Sequence, residues 1–155
     1  MDGTILFSED DFIRLTNAFY AKVRIDPVLG PVFATKIEDD DAVWAKHRAH
    51  IAGFWSSIFL KSGRYKGNPL AKHIGVTGIT PDHFAYWLNL FSETATETLQ
   101  PEQASVITDM SERIAQSLQM GLANHFDMTG VEDHPFEAFG LRRGLRKSER
   151  EDGHS

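Results

Sequence analysis

Four side chains able to do chemistry stand on or beside apolar helical stripes: Tyr20, His47, His73 and Trp87. Buried Tyr, Trp and His each need a hydrogen-bond partner, so a helical core is ordinarily filled with Leu, Ile and Val. Four such groups on four different elements point to a shared pocket. Taken singly, each has a plain structural role. Trp87 is then a core residue, Tyr20 a boundary residue with a wet hydroxyl, His47 a satisfied core or surface histidine, and His73 a solvated histidine on a capped surface helix. The best-defined holder is Tyr65-Lys66-Gly67-Asn68-Pro69-Leu70-Ala71-Lys72-His73. Gly67 breaks what precedes it, Asn68 is a good N-cap, and Pro69 suits the first helical position, where its missing N–H costs nothing. His73 follows one turn above Pro69, flanked by Leu70 and Ile74 and closed off by Gly75. A short segment thus holds one imidazole in a fixed direction.

Other chemistries fit poorly. No glycine-rich phosphate loop follows a strand. His47 and His50 are three apart with Arg48 and Ala49 between them, which is not a His-Glu-x-x-His zinc pair. There is no Gly-x-Ser-x-Gly nucleophile elbow. The acidic run Glu38–Asp41 lacks the glycine and terminal Glu of a calcium loop, and reads as a solvated lead into a helix. His83, His125, His134 and His154 are scattered and read as surface residues.

The elements that must position these groups are helices throughout. Ser8 caps a first helix with Glu9, Asp10 and Asp11 in its first turn, and Phe12, Leu15, Phe19 and Val23 follow at helical spacing. Asp26-Pro27 ends it, and Gly30-Pro31 marks a second break before Val32 and Phe33. From Ala42 to about Leu60, the residues Val43, Trp44, His47, Ile51, Phe54, Trp55 and Ile58 form one stripe. Thr80-Pro81 starts a helix running to about Leu99, with Phe84, Trp87, Leu88, Phe91 and Ala95 on one side. Beyond Pro101, Ile107, Met110, Ile114, Leu118 and Leu122 make the stripe of a last long helix, and Gly130 ends regular structure. Period-2 alternation is missing, so the fold class is all-α. A folded unit over residues 1–130 and an extension over 131–155 are expected. In the extension Arg142, Arg143, Arg146, Lys147 and Arg150 crowd together, while Phe136, Phe139 and Leu141 offer docking points.

Composition agrees with one globular domain: 155 residues, 41% apolar and 25% charged, with eleven Phe, three Trp and three Tyr suited to a core or to a large flat apolar ligand. With no Cys, there is no disulfide framework, thiolate metal site or Cys nucleophile. A net charge of −6 argues against a general nucleic-acid binder. No basic-then-apolar leader and no bilayer-length apolar run is visible, so a cytoplasmic protein with no membrane contact is expected.

In order and spacing the chain resembles the truncated haemoglobins, and among them the group III branch. The resemblance is carried by Phe19-Tyr20-Ala21-Lys22-Val23-Arg24, Leu29-Gly30-Pro31-Val32-Phe33, Trp44-Ala45-Lys46-His47, Phe54-Trp55, Tyr65-Lys66-Gly67-Asn68-Pro69 with Lys72-His73, and Phe84, Trp87-Leu88 and Leu90-Phe91. It covers about residues 7–125. Gly53 stands alone where groups I and II carry paired glycines, as group III would have it. The resemblance implies a truncated globin fold, a two-over-two helical sandwich around haem b, with His73 as the proximal ligand of the haem iron. It implies that Tyr20, His47, Ile51 and Trp87 face the ligand on the distal side. Phe33, Phe54, Trp55, Tyr65, Leu70, Phe84, Leu88, Phe91, Ile114 and Leu118 would supply the apolar walls, and Lys72 or Arg64 would meet a haem propionate.

The function this implies is reversible binding of O2 and other diatomic ligands such as CO and NO. A polar distal pocket equally resembles a haem peroxidase or nitric-oxide dioxygenase site, whose turnover needs an external electron donor or reductase. A cofactor-free helical interaction module, and a His-bound zinc or iron protein without porphyrin, are the readings that need no haem.

Overall fold

A computed structural model describes residues 6–76, 78–131 and 133–136. Among them are six helices: α1 Glu9–Ile25, α2 Leu29–Ala34, α3 Asp41–Leu60, α4 Pro69–Ile74, α5 Pro81–Thr98 and α6 Pro101–Met128. Helix α1 packs on α3 and α5 on α6, and contact between α1 and α5 joins the two pairs. The result is an all-α two-over-two arrangement, with the short α2 and α4 held at its sides, on α1 and α6 respectively.

Local chemistry explains most boundaries. The Ser8 hydroxyl accepts from the Asp11 N–H while the Asp11 carboxylate accepts from the Ser8 N–H, a reciprocal cap on α1. Asp40 caps α3 by accepting from the N–H groups of Ala42 and Val43. Asn68 caps α4 by accepting from the Ala71 N–H, with Pro69 at the first position and Gly75 as the C-cap.

The expected break at Gly30-Pro31 is instead the interior of α2. Pro31 falls in the first turn, where backbone N–H groups have no intrahelical acceptor to lose. The Asp26 carboxylate takes the N–H groups of Val28 and Leu29, both at 2.9 Å. Gly30 permits the tight return onto α1: a Cβ there would lie 3.2 Å from the Arg24 carbonyl oxygen.

Two apolar clusters form the interior. The larger joins Phe12, Leu15, Phe19 and Val23 of α1 to Trp55 of α3, Phe91 and Ala95 of α5 and Ile107 of α6. Each of those four α1 residues is at most 1% exposed, and burying each stabilises the fold by about 1.5–3 kcal/mol. The smaller cluster gathers Phe84, Ala115, Leu122, Ala123 and Phe136, with Leu70, Ile74, Leu88 and Leu118 packed against it. Phe136 therefore docks on the core as expected; Phe139, Leu141, His154 and the basic cluster lie outside the described residues. Among the described residues no helix is long and apolar enough to cross a membrane.

Candidate functional site

Between the two clusters lies a cavity of about 630 Å3. Its lining includes Tyr20, Phe33, His47, Ile51, Phe54, Trp55, Tyr65, Lys72, His73, Phe84, Trp87, Ile114 and Leu118, all named from the sequence. Three expected wall residues do not line it. Phe91 stands behind the wall, stacked on Trp87 with ring centroids 4.8 Å apart and on Trp55 at 5.5 Å. Leu70 and Leu88 pack in the smaller cluster. Arg64 does not line it either, because its guanidinium is bound to Glu9 at 2.5 Å. Of the two cations expected to meet an anionic arm, only Lys72 borders the cavity.

On the α4 side, the His73 ring is held by one hydrogen bond and one ring contact. Its Nδ1 lies 2.7 Å from the Pro69 carbonyl oxygen. A carbonyl can only accept, so Nδ1 carries a proton, and in the neutral ring Nε2 keeps its lone pair. Phe84 stacks on the imidazole at 5.7 Å and 26°. Helix α4 itself sits tightly on α6 through Gly121, where an added Cβ would come within 2.9 Å of both Leu70 methyls.

The α1–α3 side is polar at three points. The Tyr20 ring is 4% exposed and meets the His47 imidazole edge-on at 4.8 Å. The Trp87 side chain stands close enough to the Tyr20 hydroxyl to favour its ionised form, an effect smaller than that of burial. An indole N–H only donates, so toward Trp87 the Tyr20 oxygen can act only as an acceptor, and its own O–H stays available. Burial pushes the Tyr20 pKa well above its ordinary value, against a smaller opposing effect of Trp87, so the hydroxyl keeps its proton. His47 is lowered to about 4, first by burial and then by the nearby charges of His50 and Arg48. Its Nε2 is buried and has no hydrogen-bond partner among the described residues. Leaving such an atom unpaired costs about 1–3 kcal/mol.

Several lining residues escaped the sequence reading. His83 was expected at the surface, yet it borders the cavity, and its Nδ1 accepts the Thr80 N–H at 3.0 Å. The signal was available: His83 stands three residues after the cap Thr80, in the back-bonding place of a capping box. His134 is the other correction, its side chain only 3% exposed. Lys36 follows the unforeseen α2, lines the cavity, and lays its arm beside Gly75. Ser111 contributes a small polar spot, its hydroxyl donating to the Thr108 carbonyl at 2.7 Å. Among the described residues, no three His, Asp or Glu side chains converge as a metal-ion site.

An all-helical two-over-two sandwich with an aromatic cavity between its pairs, walled by one tethered imidazole, defines a truncated globin. A group 3 truncated haemoglobin of Campylobacter jejuni is 35% identical over 112 residues, spanning 72% of this chain and 88% of that protein. The crystal structure of the group III truncated haemoglobin from Campylobacter jejuni superposes with a TM-score of 0.74 at 33% identity, covering 79% of this chain and 96% of that one. No protein-family model matches the chain. The chain belongs to the group III truncated haemoglobins.

Proposed function

We propose that the cavity holds haem b on His73, and that the protein binds O2 and other diatomic ligands such as CO and NO on the side lined by Tyr20, His47 and Trp87. One observation carries this reading: a single apolar cavity has a tethered imidazole with a free Nε2 on its α4 side and an unpartnered buried imidazole on its α1–α3 side. The residues fit the group. A volume of about 630 Å3 lies within the roughly 300–1,000 Å3 usual for cofactor sites. Because no three His, Asp or Glu side chains converge among the described residues, an iron held by His73 would need the rest of its ligands from a group such as a porphyrin. With no Cys in the chain, thioether attachment is closed, which favours non-covalent haem b.

Haem would supply an iron able to take a diatomic ligand, and the surrounding residues would decide between storage and activation. The Pro69 carbonyl holds His73 in one tautomer and orientation. Tyr20 would offer its O–H to a diatomic ligand in the cavity, with the Trp87 side chain beside it. Ile51 limits the space beside them, and Lys72 and Lys36 offer cations to the propionates. A second reading, a haem peroxidase, is favoured by His47: neutral at pH 7 with its Nε2 unpaired, it is suited to take a proton from a hydroperoxide. That role, or nitric-oxide dioxygenase turnover, would require electrons from a separate donor.

Absorption spectra of the ferric, dithionite-reduced and CO-treated protein test the reading. A Soret band that shifts at each step supports it. A protein that stays colourless when haem is added refutes it. Peroxide and NO consumption with an added electron donor then separate carriage from catalysis.

A further inference from the structure

The chain continues past α6 and comes back against the α4 side of the cavity. His134 is pinned at both nitrogens. Its Nδ1 accepts the Phe136 N–H at 3.2 Å, which leaves the proton on Nε2, donated to the Asp127 carboxylate at 2.7 Å. The Phe126 ring lies against it at 5.5 Å. This anchor delivers Phe136 into the smaller cluster, where it is 1% exposed and stacked on Phe126 at 6.3 Å. Phe136 also meets the ring of Phe84 at 6.0 Å and 81°, and Phe84 is the ring stacked on His73. A continuous line of ring contacts therefore runs from the chain beyond the last helix to the imidazole.

We propose that Phe136 is a positioning residue for His73, acting through Phe84, and that His134 is the pin that seats it. Packed interiors transmit small volume changes because they contain little free space. The Pro69 carbonyl restrains the imidazole at one atom only, and rotation about that hydrogen bond is opposed by the Phe84 face. Removing the Phe136 ring opens space behind Phe84, lets that ring tilt, and allows His73 more than one orientation. In the haem-loaded protein the same freedom weakens the bond from His73 to the iron; this last consequence rests on the function proposed above.

Two readouts test this on the full chain. In haem-free protein, long-range proton–nitrogen spectra of the histidine rings, with the His73 signal assigned by His73→Gln, report the tautomer directly. Wild type should show Nδ1 protonated, and Phe136→Ala should show a mixture. In haem-loaded protein, the resonance Raman iron–imidazole stretching band of the reduced, ligand-free form should move to lower frequency and broaden in Phe136→Ala. It should return most of the way in Phe136→Leu, which refills the slot. His134→Ala, which keeps the ring but removes its pin, should move both readouts less and in the same direction. If Phe136→Ala does not fold, Phe136→Leu and His134→Ala decide the matter by the same readouts. Wild-type tautomer and band positions in the folded variants, with only a lowered melting temperature, would overturn the proposal. A wild-type protein that takes up no haem fails the proposed function alone, and the haem-free spectra still decide the role of Phe136.

Discussion

Tyr20→Phe isolates one hydroxyl in a buried, apolar setting. Burial keeps that hydroxyl protonated, and it borders the cavity, so its proton is the one the proposed function offers to a ligand there. A buried hydrogen bond whose loss leaves the partner unpaired contributes about 1–3 kcal/mol, and in a rate of ligand loss this is about 5- to 150-fold. The O2 dissociation rate, measured by stopped-flow displacement with excess CO, should therefore rise by one to two orders of magnitude. Trp87→Phe should raise it as well, because Tyr20 then loses the contact that aims it. Since the two groups act through one arrangement, the double variant should fall well short of the product of the single effects. An unchanged dissociation rate in Tyr20→Phe, or multiplicative effects in the double variant, would refute this reasoning.

The lowered pKa of His47 makes acid stability a second test. Between about pH 6.5 and pH 4 the unfolded chain holds a proton on this ring that the folded chain does not, so folding stability falls as pH drops through that window. The contribution is on the order of 3 kcal/mol, and denaturant titrations of haem-free His47→Leu should show that part of the pH dependence removed. Gly121→Val should push Leu70 and α4 away from α6, since even a single Cβ would stand 2.9 Å from both Leu70 methyls. Overpacking of this kind costs about 1–3 kcal/mol, to be read as a lower melting temperature together with faster transfer of haem to an acceptor globin. Asn68→Ala removes the cap of α4 and should cost about 1 kcal/mol, with faster haem loss but an unchanged CO spectrum.

What the sequence disclosed follows from how local each determinant is. Helix α4 was legible down to its ends because Asn68, Pro69 and Gly75 each act on neighbouring backbone groups. Helix α1 was legible for the same reason, through the reciprocal cap of Ser8 and Asp11. Helix α2 was missed because Gly-Pro usually interrupts a helix, whereas here Pro31 falls in the first turn and the cap is supplied from Asp26, before the apparent break.

The identities of the site residues were more legible than their depth. Tyr20, His47, His73 and Trp87 stood out as polar groups on apolar stripes, and all four border the cavity. Which part of a stripe faces a cavity depends on how helices cross, and that is not written in spacing. So Phe84 and Trp87 line the cavity while Leu88 and Phe91, on the same side of α5, pack behind it. The stripe on α3 shows the same limit: Trp44 is buried, and its neighbour Val43 is 36% exposed. His134 was out of reach because its burial depends on the chain returning to Asp127 and Phe126, a tertiary event with no periodic signature.

The central claim is that His73 is the side chain that holds the iron. It is tested most directly by replacing the imidazole and giving it back. His73→Gly, loaded with haem and reduced, should show an altered Soret band, and titration with free imidazole should restore the wild-type reduced and CO-bound spectra. A His73→Gly protein whose spectra match wild type without imidazole would contradict the account, because another side chain would then be the ligand.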